Sequence, residues 1–268
     1  ANAPVGTGSM KGRLATKAAS FKAHKNTSHH APKIDTMKMS QAQDPAVQVN
    51  TLRNGAMHGI ISVPPAYRPE LQTESEVQMR NYDLRSWWFV AINTTSGALS
   101  NKQVRKALNY SIDRSELREK SIGFDKNDKD SPCEFISGPF VQSSAYYNHE
   151  IPAVEFTDGR KAEALLVDAG LTKVGASWFY NEEPVVLRIG MDAKLGKEAT
   201  DLLTQVANQL NEAGFSTRVY KVSSDDWNRK VITGEAAKEY DLVIGKWSFG
   251  INEDVKDLFQ TRSNSKFQ

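Results

Sequence analysis

The chain has 268 residues, a length that fits one large domain or two small ones. Hydrophobic residues make up 39% of it and charged residues 25%, so it can bury a core, and disorder over its whole length is excluded. No run approaches the roughly 18 consecutive apolar residues that a membrane helix needs. The single cysteine, Cys133, excludes an internal disulfide framework and a multi-cysteine zinc site.

Charge is distributed unevenly along the chain. Residues 1–40 hold seven basic residues and one acidic residue, whereas the whole chain carries a net charge of only +2, so the remainder is acidic. A basic block can bind nucleic acid or acidic membranes, or it can be a solvated sheet edge whose lysines discourage aggregation. The block has one aromatic residue, Phe21, and therefore almost no platform for stacking bases. We expect the solvated edge, and no nucleic-acid partner.

The first 80 residues are rich in turn residues and poor in helix signals. One helix is predicted over residues 44–55, because Asp44 can cap it, Pro45 suits its first position and Gly55 can end it. The apolar run at residues 59–63, which precedes two prolines, predicts a strand.

From residue 87 the pattern changes. The dense apolar run at residues 87–93 predicts a buried strand. Ser100 with Gln103, and Asp113 with Glu116, have the spacing of capping boxes, so two helices are predicted, the second ending near Lys120. Residues 123–156 look irregular.

The last third alternates helices and strands. Helices are predicted over residues 158–169 and 197–213 and from a cap at Ser224, because apolar residues recur at helical spacing and glycines follow. Strands are predicted over residues 185–191, 215–222 and 240–247. Strands that alternate with helices predict right-handed crossovers and a largely parallel sheet, which is an α/β fold.

Catalytic constellations are sparse. Cys133 has no base supplied in its polar loop, so it is not expected to be a nucleophile. A metal site would need His24, His29 and His30, but the adjacent pair points in divergent directions in regular structure, and surface histidines are the expected reading. We therefore predict no enzyme activity, no metal and no cofactor.

Aromatic residues are the stronger functional signal. Trp247 ends a predicted strand and is followed by a polar, glycine-containing segment, and ligands collect at the carboxyl ends of strands in open α/β sheets. Tyr146 and Tyr147 lie in the irregular segment. For Trp87 and Trp88 the alternative is that they pack on opposite faces of the sheet and bind nothing.

Several motifs resemble a known family. The sequence NKQVRKALNYSIDR at residues 101–114 is similar to the signature of the family 5 extracellular solute-binding proteins, the oligopeptide, dipeptide and nickel binders of ABC importers. Further similarities follow the family's order along the chain: PVGTG at 4–8, the helix-and-strand unit at 46–65, GPF at 138–140, KAEALL at 161–166 and DLVIGKW at 241–247.

The resemblance implies a periplasmic-binding-protein-like α/β lobe (type II, oligopeptide-binder-like) beside an incomplete, mainly β first lobe. Such proteins are about twice this length, so the chain resembles their central fragment, and the lack of a visible export signal is then uninformative. Residues 1–86 would belong to the first lobe, 87–247 would form the second, and 248–268 would return toward the first. The hinge strands would carry Phe89, Val90, Lys246 and Ser248.

The function implied by the resemblance is capture of a solute between two lobes and its presentation to an ABC permease. The implied protein is monomeric, periplasmic or extracellular, and takes a small peptide or another small polar solute; association with the membrane is also compatible. The residues that would line its ligand site are Trp88, Asn93, Tyr146, Tyr147, Trp247, Phe249, Asn252 and Asp254.

One departure from the family concerns the ligand. In the family's peptide binders an aspartate three residues after the tryptophan of the last strand pairs with the peptide amino terminus, and here that residue is Gly250. Asn252 or Asp254 could substitute for it. We expect the fragment alone to bind weakly, because part of one lobe is missing.

Two alternatives remain at this point. A regulator with the same fold would use this region as a solute sensor fused to a DNA-binding domain, and the basic block keeps that alternative open. A metal-binding protein would use His24, His29 and His30.

Overall fold

The chain folds into two units, Ala1–Met79 and Arg80–Gln268. The computed structural model describes residues 8–24, 32–40, 44–82, 84–124, 133–151, 157–249 and 254–255. Among the helices in these ranges, none has the length and hydropathy needed to cross a membrane.

The first unit begins with an antiparallel sheet of three strands. They lie in the order β1 (Met10–Leu14), β2 (Ala18–Ala23) and β3 (Thr36–Ser40). The register places Lys11 opposite Lys22, and Ser20 opposite Lys38. Because side chains alternate between the two faces of a strand, this register decides which residues share a face.

Two helices follow in the same unit. Helix α1 (Pro45–Arg53) confirms the predicted helix: Asp44 accepts a hydrogen bond from the amide of Ala46 at 2.8 Å, and Pro45 is its first residue. Arg53 forms ion pairs with Glu70 at 2.6 Å, in α2 (Arg68–Gln72), and with Glu74 at 2.8 Å. These pairs tie the end of α1 to the α2 region.

The prediction of a strand at residues 59–63 is wrong. The segment joins none of the three sheets in the described structure, and Ile61 is 73% exposed. An apolar, β-prone run becomes a strand only where a neighbouring strand takes its backbone hydrogen bonds, and no described strand lies beside this one.

The second unit is built on a mixed four-stranded sheet. Its order is β4 (Ser86–Ile92), β10 (Leu242–Ser248), β8 (Val186–Asp192) and β9 (Ser216–Val222). The pairs β10–β8 and β8–β9 are parallel, and β4 pairs antiparallel with β10. The four predicted strands and the largely parallel sheet are confirmed.

Six helices accompany this sheet in the described part of the unit. They are α3 (Lys102–Tyr110), α4 (Arg114–Leu117), α5 (Gly159–Asp168), α6 (Gly196–Glu212), α7 (Ser224–Thr233) and α8 (Ala236–Glu239). A π-helical turn at Arg118–Ile122 continues α4. The predicted helices are thus confirmed. Asp113 and Asp158 cap α4 and α5, because their side chains accept hydrogen bonds from backbone amides in the first turn of each helix.

Two predicted caps are each off by one residue. Helix α3 is capped by Asn101, whose side chain accepts from the amide of Gln103 at 2.8 Å, because Ser100 instead ends a 3₁₀ turn at Gly97–Ser100. Helix α7 is capped by Ser223, and the hydroxyl of Ser224 donates to Asp192 at 2.7 Å. Where good capping residues are adjacent, tertiary contacts choose between them.

A small antiparallel sheet was not predicted. Its strands are β5 (Thr172–Val174), β6 (Ser177–Tyr180) and β7 (Glu183–Pro184). Asn181 and Glu182 join β6 to β7 with φ of 51° and 66°, the left-handed conformation that tight hairpin turns require. Strands this short carry too few alternations to be seen in a sequence.

The core lies on one face of the four-stranded sheet. Leu187, Ile189 and Met191 of β8 point into it, together with Leu242 and Ile244 of β10. The apolar face of α6 supplies most of the helical side, with α3 and α5 beside it. On the other face, the ring of Tyr240 covers Gly190, where an added Cβ would lie 2.8 Å from the ring.

Asp241 joins three strands just before β10 begins. Its carboxylate accepts hydrogen bonds from Arg188 Nε at 2.9 Å, from the Arg188 amide at 2.8 Å and from Ser96 Oγ at 2.5 Å. Its carbonyl accepts from the amide of Asn93 at 2.8 Å. This carboxylate therefore fixes the start of β10 against β8 and the end of β4.

Candidate functional site

The two strands expected to form the hinge lie side by side. Strands β4 and β10 pair along their full length, from Ile92 opposite Leu242 to Ser86 opposite Ser248. Beyond the ladder, the amide of Phe249 donates to the carbonyl of Arg85 at 2.9 Å. The four proposed hinge residues all lie within this ladder, and their role in a hinge motion stays a prediction.

The register sorts the aromatic residues of these strands onto two faces. Trp88, Val90 and Ile92 pack against the core on the helix-covered face. Trp87 and Trp247 are directly opposite each other, so both point from the other face, as Phe89 does.

On that other face the structure brings six aromatic residues to one end of the strand pair. Phe140 stacks on Phe249 at 5.9 Å between ring centroids and contacts Tyr146 at 5.6 Å. Trp247 meets Phe249 at 6.3 Å, and Trp87 meets Phe89 at 5.0 Å. We call the six the aromatic cluster: Trp87, Phe89, Phe140, Tyr146, Trp247 and Phe249.

The aromatic cluster is partly open to solvent. Tyr146 is 68% exposed, whereas Phe140, Trp247 and Phe249 are half-buried. Edge-on and offset contacts of this kind hold rings in fixed orientations while leaving part of each face free. The arrangement can offer a rigid apolar wall to a ligand.

Three of the residues predicted to bind ligand belong to this cluster, namely Tyr146, Trp247 and Phe249. Tyr147 lies next to it in sequence and packs its ring edge-on against His149 at 4.8 Å. Asp254 is exposed beyond the end of β10. Asn252, and Gly250 where the family's peptide binders carry an aspartate, lie outside the described residues.

Trp88 and Asn93 are placed elsewhere. The ring of Trp88 is on the core face, with the ammonium of Lys246 at 4.8 Å from its centroid. Asn93 follows the opposite end of β4, where its Nδ2 donates to the carbonyl of Ala237 at 2.5 Å and its Oδ1 accepts from Thr95. That amide is engaged in holding the start of β10, about 20 Å along the strand from Trp87 at 3.4 Å per residue.

Trp87, Phe89 and Phe140 are the cluster members that were not predicted as ligand-binding residues. The alternation of side chains along a strand would have placed Trp87 with Trp247 if the register had been known. The register is the pairing of individual residues of β10 with individual residues of β4, and nothing in the local sequence of either strand specifies that pairing. The alternative that Trp87 and Trp88 lie on opposite faces agrees with their positions.

The absence of a side chain at Gly245 leaves room for the ring of Phe89. The two residues are opposite each other in the ladder, and a Cβ on Gly245 would lie 2.4 Å from Phe89 Cζ. We expect Gly245→Ala to lower the free energy of unfolding by about 1–3 kcal/mol, because the ring has to move. Chemical denaturation measures it, and in a Phe89→Leu background the same substitution should have a smaller effect; an equal effect in both backgrounds would contradict a clash with the ring.

Cys133 and the histidines are the other residues considered for chemistry. Burial raises the pKa of the Cys133 thiol, which keeps it protonated and a poor nucleophile at neutral pH. His24 lies 3.4 Å from the carbonyl of Gly8, and His29 and His30 lie outside the described residues. Within the described ranges, no three metal-ligating side chains come together.

One protein family matches this chain over its whole length. The model of the family described as bacterial extracellular solute-binding proteins, family 5 Middle, matches residues 1–268. Heme-binding protein A of Haemophilus influenzae is 27% identical over 169 residues, which are 62% of this chain and 29% of that protein.

Solved structures share the fold. A candidate peptide-binding protein, AppA from Clostridium difficile, superposes with a TM-score of 0.80 at 20% identity, over 98% of this chain and 51% of that one. NikZ from Campylobacter jejuni, in complex with Ni(L-His), superposes with a TM-score of 0.66 at 17% identity, over 98% and 51%. The chain thus spans about half the length of these structures. From the match along all of its residues, this chain belongs to family 5 of the bacterial extracellular solute-binding proteins.

Proposed function

We propose that this chain is the central part of the substrate-binding component of an ABC importer. In this proposal it captures a peptide or a similar small polar solute outside the cytoplasmic membrane and presents it to a permease, without converting it. Residues 1–86 contribute to the first lobe, 87–247 form the second lobe and 248–268 return toward the first. Membership of a family of solute-binding proteins supports the proposal.

The observation that carries the proposal is the aromatic cluster at the end of the β4–β10 pair. Rigid rings give a ligand a large contact area with little loss of side-chain entropy, and they tolerate different side chains. The cluster is built on the two strands proposed to cross between the lobes, so a ligand resting on it would contact the point about which they close. Closure then follows as a population shift, since only the closed form contacts the ligand from both sides.

The ligand class can be tested on the complete gene product that contains these residues. Isothermal titration calorimetry against short peptides, nickel–histidine and haemin covers the ligands named for the relatives. We expect saturable binding by at least one class. A folded protein that binds none of them, and none of a wider metabolite library in a thermal-shift screen, would contradict the proposal.

The aromatic cluster can be tested within that experiment. Trp247→Ala should weaken binding of the identified ligand by about 10- to 100-fold, the range expected for an aromatic residue central to a binding site. Trp88→Ala is the matched control, because Trp88 is the neighbouring tryptophan on the opposite face of the strand pair. Calorimetry below both melting temperatures separates affinity from folding. Equal losses of ligand affinity in the two variants would show that the aromatic cluster is not part of the ligand site.

A further inference from the structure

We propose that one face of the β1–β2–β3 sheet docks on a membrane surface that carries anionic lipid headgroups. The face is defined by four cationic residues, which we call the basic face: Lys11, Arg13, Lys22 and Lys38. It lies within the first unit, whereas the aromatic cluster belongs to the second.

The register puts these four side chains on one face. Lys11 is opposite Lys22, Arg13 is opposite Ser20, and Ser20 is in turn opposite Lys38. Directly paired residues share a face, as do residues two apart in one strand, so the four cations project together. Neighbouring positions on such a face are about 5–7 Å apart. All four residues are exposed.

These cations lack acidic partners within the described ranges. None of the four forms an ion pair or a side-chain hydrogen bond there, whereas the acidic residues Glu70 and Glu74 of the same unit are both paired with Arg53. Their charges are therefore available to an external anion. They also account for most of the surplus of positive charge in residues 1–40.

Protection of a sheet edge accounts for Lys11, Arg13 and Lys38, which lie on the two outer strands, but not for the fourth cation. Lys22 lies on β2, the central strand, where there is no open edge to protect. Lys11 directly opposite Lys22 is a like-charge pair, which destabilises an antiparallel sheet. A bound anionic surface would relieve that repulsion, because anions between the two ammonium groups would screen it.

A lipid surface fits the basic face better than nucleic acid does. The sheet's one aromatic residue, Phe21, is opposite Gly12 and points from the other face, so no ring accompanies the cations to stack on bases. The other residues on this face are Ala18, Ser20, Thr36 and Ser40, which are small and, apart from Ala18, polar. A nearly planar array of cations and hydroxyls is complementary to a planar layer of phosphate headgroups, whose attraction for each lysine or arginine is about 1 kcal/mol, or about fivefold in binding.

Vesicle sedimentation with the complete gene product that contains these residues tests the proposal. The probes are vesicles of phosphatidylcholine alone and of phosphatidylcholine mixed with phosphatidylglycerol, at about 0.1 M salt and again at high salt, where charges are screened. We expect binding only to the anionic vesicles, and its loss at high salt. Neutralising the face, as K11Q/R13Q/K22Q/K38Q, should weaken that binding by about 10²- to 10³-fold, since each cation contributes about fivefold.

A matched control changes the same net charge elsewhere. The variant K102Q/K106Q/K194Q/R218Q removes four exposed cations from the second unit and should bind as the unmodified chain does. The variant K11R/K22R/K38R keeps the charge and should also bind, which shows that the glutamine variant fails through charge and not through folding. Circular dichroism of each variant confirms the fold.

Four results would overturn the proposal. Equal binding to neutral vesicles would assign the attraction to the apolar face of the sheet, where Leu14 and Met39 are exposed. An equal loss in the control variant would assign it to net charge. Absence of binding to anionic vesicles would reject it directly. Binding of a DNA duplex that the face variant abolishes, without vesicle binding, would assign the basic face to nucleic acid.

Discussion

Replacing Trp178 with alanine is expected to lower the free energy of unfolding by about 3–5 kcal/mol, the range for removing a large buried ring. Trp178 is 2% exposed and belongs to β6 of the small sheet. Its indole Nε1 donates to the carbonyl of Ala213 at 2.9 Å, and its backbone amide donates to the carbonyl of Gly214 at 2.9 Å. The ring thus closes the core where α6 ends.

Gly214 makes this closure possible. Its φ is +95°, and a Cβ there would lie 2.6 Å from the carbonyl oxygen of Ala176 and 3.0 Å from Trp178 Cδ1. Only a residue without a side chain can end α6 at this point and let the hairpin approach. The alanine variant of Trp178 therefore leaves a cavity whose walls are held by backbone, and the site cannot readily collapse to fill it.

The measurement for Trp178 is chemical denaturation followed by circular dichroism, which does not depend on the tryptophan signal. Trp178→Phe is the matched variant, because it keeps most of the ring but loses the indole N–H, and we expect a loss of about 1–2 kcal/mol. If the free energy of unfolding of Trp178→Ala lies within about 1 kcal/mol of that of the unmodified chain, the hairpin does not seal the core. This threshold is used because an average substitution costs about 1 kcal/mol.

The second large effect is expected at Asp241. Asp241→Ala should lower the free energy of unfolding by about 3 kcal/mol, at the low end for breaking a buried ion pair, because Arg188 is partly exposed and can regain water. The side chain of Asp241 is 5% exposed and that of Arg188 is 36% exposed. The substitution also leaves Ser96 Oγ and the Arg188 amide without their acceptor.

The same carboxylate makes stability depend on pH. Desolvation raises the pKa of Asp241. Hydrogen bonds from the Arg188 side chain, from Ser96 and from the Arg188 amide lower the pKa by more than desolvation raises it, so the net pKa is below its ordinary value. The contribution is fully present above the unfolded-state pKa of about 3.9 and is lost as pH falls through the lower folded-state pKa. The stability difference between the unmodified chain and Asp241→Asn should therefore shrink below about pH 4.

Denaturation curves from neutral to acidic pH test this expectation. Asp168→Asn is the matched control, because Asp168 is exposed at the end of α5, and a surface change of this kind should alter the free energy by no more than about 0.5 kcal/mol. An Asp241→Asn variant whose stability differs from that of the unmodified chain by a constant amount at all pH values would show that the charge of Asp241 is not what stabilises the fold.

The predicted helices and the four strands of the larger sheet could be read from the sequence because their signals are local. Helices α5 and α6 have apolar residues at helical spacing, and glycines with positive φ follow them, Gly170 and Gly214. Asp44, Asp113 and Asp158 cap helices through hydrogen bonds to amides two or three residues away. Such signals act over one turn of chain, so they place a helix to within a residue or two without reference to the rest of the molecule.

Local signals failed where a distant partner decides the outcome. Residues 59–63 have the composition of a strand but no described strand to pair with, and β5, β6 and β7 are strands of two to four residues that exist because they pair with one another. Ser100 and Asn101 are both acceptable caps, and the 3₁₀ turn before α3 selects the second.

The amino-acid sequence by itself determined the family, the α/β class and the presence of aromatic residues at the end of the last strand. Only the tertiary structure decided that Trp87 and not Trp88 joins Trp247, that Asn93 is held at the far end of its strand, and that four cations of the first sheet share a face. The reason is the two-residue period of a strand: a shift of one residue in register moves every side chain to the opposite face, and register is set by pairing with a strand remote in sequence.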